Sequence, residues 1–135
     1  MKHIRASVAG LATLVAVLAW AVPADAHNSA TQETVVTVTA GKPSTFAFTL
    51  STKTVKTGSV TFKVTNKATI PHTFKVCSSS TGGSANACAG KGTATIQPGK
   101  SATLTITFTK KGTYEYLCTF PGHASFGMKG DLKVT

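Results

Sequence analysis

The chain has 135 residues, 41% of them hydrophobic, with 14 Lys and Arg against 4 Asp and Glu for a formal net charge of +10. That length suits one compact domain. The basicity does not read as a nucleic-acid surface: there is no arginine cluster, no helix to enter a groove and no interleaving of aromatic with basic residues.

Residues 1–26 read as a secretory signal peptide. Lys2, His3 and Arg5 form a charged start, Ala6 to Val22 is an apolar run, and Ala24-Asp25-Ala26 offers a small-x-small cleavage site. The run is short for a membrane span, which needs about 20 apolar residues, although an uncleaved anchor is the competing reading. Cleavage would leave residues 27–135 as one exported domain, periplasmic or extracellular, without stable membrane association. That domain keeps 12 lysines, three acidic residues (Glu33, Glu115, Asp131) and no arginine. Lysines spread so evenly usually mean a solvated surface; the sharper alternative is electrostatic steering toward an acidic partner.

From there the chain alternates with period two, and no amphipathic helix stands out. Val36 and Val38 mark a strand over 33–40, and Phe46, Phe48 and Leu50 one over 44–50. Val60, Phe62 and Val64 alternate through 59–65 after a turn at Thr57-Gly58, and Phe74 and Val76 follow His72. Thr93 to Ile96 reads as a short strand ended by Pro98-Gly99. Ala102, Leu104, Ile106 and Phe108 form the clearest strand; Tyr114, Tyr116 and Cys118 alternate in the next, and Leu132 with Val134 closes the chain. Seven or eight short strands rich in Thr and Val, separated by Gly/Pro turns, predict an all-β, antiparallel β-sandwich or barrel.

The three cysteines leave one thiol over. Cys77 and Cys88 flank a Ser/Gly-rich loop, residues 78–87, that lets them meet, and an oxidising compartment favours a disulfide between them. Closing such a loop adds about 3 kcal/mol in the chain-entropy treatment; the alternative is that both stay unpaired.

Cys118 is the remaining thiol. It opens Cys118-Thr-Phe-Pro-Gly-His123-Ala-Ser-Phe-Gly-Met128, a thiolate, an imidazole and a thioether in that order. Soft sulfur suits Cu(I), imidazole suits both copper oxidation states, and a weak axial thioether completes a blue-copper donor set. His72 is the candidate fourth donor. Residues two apart on a strand share a face, so His72 goes with Phe74 and Val76, and Cys118 with Tyr116 and Tyr114. Both donors therefore point into the core.

Gly112-Thr-Tyr-Glu-Tyr-Leu-Cys118-x4-His123-x4-Met128-x-Gly130, with Val64-Thr-Asn66-Lys-Ala-Thr-Ile-Pro71-His72 upstream, resembles the cupredoxins, the plastocyanin/azurin family of small blue-copper proteins. The Cys–His spacing is more like rusticyanin's than plastocyanin's. The resemblance implies a Greek-key β-sandwich holding one type 1 copper ion, with His72, Cys118 and His123 as the trigonal ligands and Met128 as the distant axial one. Many family members place Asn or Asp directly after the first histidine to brace the ligand loop. Here Thr73 stands there, able to bond the backbone near Thr119 with fewer hydrogen bonds than an amide. Asn66 is either part of that bracing or a turn residue.

The implied activity is one-electron transfer by a monomer that meets its redox partners transiently. An apolar patch of Pro71, Phe120, Pro121, Ala124 and Phe126 around His123 is the expected docking surface, with plain loop packing the alternative for Phe126. Competing readings are a periplasmic copper-binding or copper-delivery protein, an enzyme, and a metal-free structural module. Copper enzymes with this fold need additional histidines, and a binuclear centre needs a second cysteine inside the ligand loop. His27, as a new N-terminus, could chelate copper through its amine and ring.

Overall fold

The computed structural model describes residues 33–78 and 89–135. Nine strands lie among them: β1 (Thr34–Ala40), β2 (Phe48–Leu50), β3 (Thr54–Val55), β4 (Gly58–Asn66), β5 (Lys75–Cys77), β6 (Gly90–Gly92), β7 (Ser101–Phe108), β8 (Gly112–Leu117) and β9 (Lys129–Val134). They form two sheets, of order β2-β1-β4-β7 and β3-β9-β8-β5-β6. The result is the expected β-sandwich, with two departures from an all-antiparallel arrangement. β1 runs parallel to β4, and β3 parallel to β9. Alternation decides which face a residue takes but not the direction of the neighbouring strand, so the sequence pattern carried no sign of these pairs.

The inward rows close on one another as the alternation requires. Val36 and Val38 of β1, Val60, Phe62 and Val64 of β4, and Leu132 and Val134 of β9 are buried in one cluster with Phe74 and Tyr116. Phe74 is the hub, its ring centroid 5.2 Å from Phe48, 5.4 Å from Phe62 and 5.6 Å from Tyr116. Offset and edge-on ring contacts of this kind add about 0.5–1.5 kcal/mol beyond the burial of apolar area.

Two local devices bring the sheets to the ligand-bearing end. After β4 the chain leaves the sheet, and His72 returns to pair with Ile96 as an isolated bridge (His72 N to Ile96 O 3.1 Å, Ile96 N to His72 O 2.7 Å). The predicted 93–96 strand is reduced to that bridge. After β8, Cys118 N donates to Met128 O at 3.0 Å, which ties off residues 119–127 as a loop at the mouth of the sandwich. No helix among the described residues is long and apolar enough to cross a membrane. Residues 1–26, His27 and Cys88 lie outside the described residues.

Candidate metal centre

His72 and Cys118 come from different strand ends of the five-stranded sheet, and His123 from the loop that follows Cys118. Both imidazoles turn Nδ1 inward: the two Nδ1 atoms are 3.2 Å apart, and Cys118 Sγ lies 3.4 Å from His123 Nδ1 and 3.9 Å from His72 Nδ1. The point equidistant from those three atoms lies about 2 Å from each, close to a bond length between a first-row metal ion and imidazole. His72 and Cys118 are fully buried and His123 is half-buried.

Met128 is also fully buried and shares the core cluster with Cys118. Its N–H donates to His123 O at 2.9 Å, and its carbonyl accepts from Cys118 N, so its backbone is fixed to both neighbouring donors. Two glycines permit this course. Gly127 has φ +102°, open to glycine and strained for other residues. At Gly130 a Cβ would run into Tyr116 Oη.

Protonation favours ligation. Burial, then repulsion from His123, holds the His72 pKa below the ordinary 6.5. Burial lowers that of His123 as well. Neutral imidazoles whose Nδ1 atoms converge are ready-made ligands. Cys118 is the free cysteine among the described residues. Cys77 is buried and not free, and its expected partner Cys88 lies outside the described residues.

The surrounding residues hold the ligands in register. Thr73 N points at Cys118 Sγ from 3.4 Å; the Thr73 hydroxyl accepts from Thr119 N at 2.8 Å and bonds Thr119 Oγ1 at 2.7 Å. Asn66, fully buried, donates from Nδ2 to Ile70 O (2.8 Å) and Ile96 O (2.9 Å) and accepts from Ala68 N (2.9 Å). Ile96 O is the same atom that receives His72 N.

At the surface, Pro71 and Phe120 are half-buried, Pro121 is exposed, and Phe126 is 68% exposed. Ala124 corrects the expected patch: it is fully buried against Cys77 and Leu117. The loop makes a tight turn there, with Phe126 N bonded to Gly122 O and Gly127 N to Ala124 O. That turn sends neighbouring side chains to opposite sides. One residue was missed. Phe46, between β1 and β2, sets its ring 5.0 Å from His123 and 5.0 Å from Phe126. Nothing local marks it, because the contact spans most of the domain.

One cysteine sulfur, two imidazoles and a buried thioether, gathered by a β-sandwich, define a mononuclear type 1 copper protein. The sequence profile of the copper-binding proteins of the plastocyanin/azurin family matches residues 24–135. The chain belongs to that family, and copper is its metal.

Among relatives, the chain is 51% identical over 43 residues to auracyanin-B of Chloroflexus aurantiacus, covering 32% of this chain and 18% of that protein. It is 54% identical over 39 residues to the copper-resistant cuproprotein CopI of Pseudomonas aeruginosa, covering 29% of this chain and 22% of that protein. These stretches span about a fifth of the length of the curated relatives. The solved structure of auracyanin B superimposes with a TM-score of 0.62 at 27% identity, over 77% of this chain and 89% of that one. Rusticyanin from Thiobacillus ferrooxidans gives 0.57 at 25% identity, over 76% and 77%.

Proposed function

We propose that this domain is an exported carrier of single electrons between protein partners. The observation that carries the reading is the converging triangle of Cys118 Sγ and two neutral histidine Nδ1 atoms beneath a partly apolar rim. Bound copper supplies a one-electron Cu(II)/Cu(I) couple. Everything else is done by the chain. The sandwich holds His72 and Cys118 buried and excludes water from them, and the tied loop fixes His123 and Met128. One arrangement then serves both oxidation states, and no bond is made or broken in a substrate. His123 is the one half-buried member of the triangle, and it gives the donor set its route to the surface. Phe126, Pro121, Phe120 and Pro71 offer a transient partner an apolar footing, and the lysines steer that partner if it is acidic. The apolar character of residues 6–22 supports export.

Stopped-flow absorption of the copper-loaded protein tests this. An intense visible thiolate-to-copper band should bleach on one-electron reduction, return on oxidation, and be missing in Cys118→Ser. With an acidic donor protein, bleaching should slow as ionic strength rises; a rate indifferent to salt would remove the steering. The likeness to CopI favours a second reading, copper handling itself. Rapid loss of copper to a chelator, on the timescale of mixing, would select it over electron carriage.

A further inference from the structure

We propose that Phe46 is a positioning residue that holds the His123 imidazole in its ligating orientation, whereas Phe126 beside it serves docking alone. The inference rests on the copper-centre reading above. Three rings bound the His123 imidazole: Phe120 stacked at 5.4 Å and 28°, Phe46 edge-on at 5.0 Å and 68°, and His72 at 5.1 Å and 66°. Phe120 belongs to the same loop as His123 and is bonded to it through His123 N and Phe120 O, so it travels wherever the loop travels. His72 is itself a ligand. Phe46 alone among these rings ties His123 to the four-stranded sheet.

Its own segment is anchored well enough to act as a stop. Gly41 N donates to Ala47 O at 2.9 Å, closing the turn that carries Phe46. Gly41 sits so close to Ala68 that a Cβ would lie 2.5 Å from the Ala68 Cβ, and Ala68 is bonded to Asn66 on the segment leading to His72. The Phe46 ring packs on the main core, and its carbonyl stands 3.9 Å from where a Gly127 Cβ would be. Phe126 differs: its ring touches Phe46 and lies over Gly122 of its own loop, but it is 68% exposed and, like Phe120, travels with that loop and gives His123 no tie to the sheet.

The test compares Phe46→Ala, Phe46→Leu, Phe46→Tyr and Phe126→Ala in the copper-loaded full chain. Copper affinity is read by competition with a chelator, and the copper(II) electron paramagnetic resonance spectrum with and without added imidazole. Phe46→Ala should lose about 10- to 100-fold in affinity, the usual effect of removing an outer support of a metal ligand. Its spectrum should shift and respond to imidazole. Phe46→Tyr should restore the wild-type values, and Phe126→Ala should leave both unchanged. Should Phe46→Ala fail to fold, as judged by circular dichroism of the metal-free chain, Phe46→Leu decides: weakened binding supports the proposal and wild-type binding overturns it. Wild-type values in Phe46→Ala, or equal losses in Phe126→Ala, also overturn it. A wild-type protein that takes up no copper would instead refute the centre itself.

Discussion

Thr73 braces the ligand loop with a single hydroxyl. Its oxygen accepts from the Thr119 amide at 2.8 Å and shares a hydrogen bond with the Thr119 hydroxyl at 2.7 Å, while its own amide faces Cys118 Sγ. Two side-chain bonds reach Thr119, directly after Cys118, and the same hydroxyl lies 3.7 Å from Cys118 Sγ, so the two ligand-bearing segments are joined at the ligands themselves. Thr73 is 8% exposed, and water is poorly placed to replace its hydroxyl. Thr73→Val keeps the shape and the amide but leaves Thr119 N without that acceptor, which costs about 1–3 kcal/mol. Urea unfolding of the metal-free protein should show that loss, and Thr73→Ser should recover most of it. The visible band should survive in both, since the amide facing the sulfur is untouched, but shift in Thr73→Val, which removes the hydroxyl 3.7 Å from that sulfur; a colourless Thr73→Val would mean the hydroxyl is needed to form the centre.

At the scale of elements, the end of β4 decides where His72 arrives. Asn66 bonds three backbone groups, at Ile70, Ile96 and Ala68, and replaces a strand continuation with a fixed exit. Asn66→Ala strands the Ile70 carbonyl and the Ala68 amide and takes from Ile96 O one of its two donors, the other being His72 N, at about 1 kcal/mol for each bond lost. The denaturation midpoint of the metal-free protein should fall accordingly, more than for an exposed control such as Lys67→Ala; an equal effect would leave Asn66 an ordinary turn residue. The long strands β1, β4, β7 and β8 were legible because their side chains alternate over six residues or more. β3 and β6 were not: one has two residues, and Gly90–Gly92 has no side-chain pattern to read. The 44–50 strand shrank to Phe48–Leu50 because Gly41, at φ +84°, starts a turn that closes only at Ala47. The ligands were legible through chemistry, since a lone thiol followed by His and Met at fixed spacing has few other uses. Phe46 was hidden because packing across 77 residues leaves no local trace.

Across the whole molecule, acid sensitivity should concentrate in the histidines. Beyond residue 26 the chain has only Glu33, Glu115 and Asp131 as acidic side chains, so few carboxylates compete as the origin of a pH effect. The folded metal-free protein holds His72 and His123 below their ordinary 6.5, through burial in both and through repulsion from His123 at His72. In the unfolded chain both titrate near that ordinary value. Above about pH 6.5 neither state binds these protons, and the folded state keeps its full advantage. As the pH falls below that value, the unfolded chain takes up protons that the folded site refuses, so stability declines until the lowered folded pKa values are passed. The melting temperature of the metal-free protein should therefore drop between about pH 7 and pH 5. The His72 ring resonances in NMR spectra should titrate at a lower pH than those of a free imidazole. A flat melting curve, or a His72 that protonates like a free imidazole, would show that the mouth of the sandwich opens to water when the metal is gone. The donor triangle would then be assembled by copper and not by the fold.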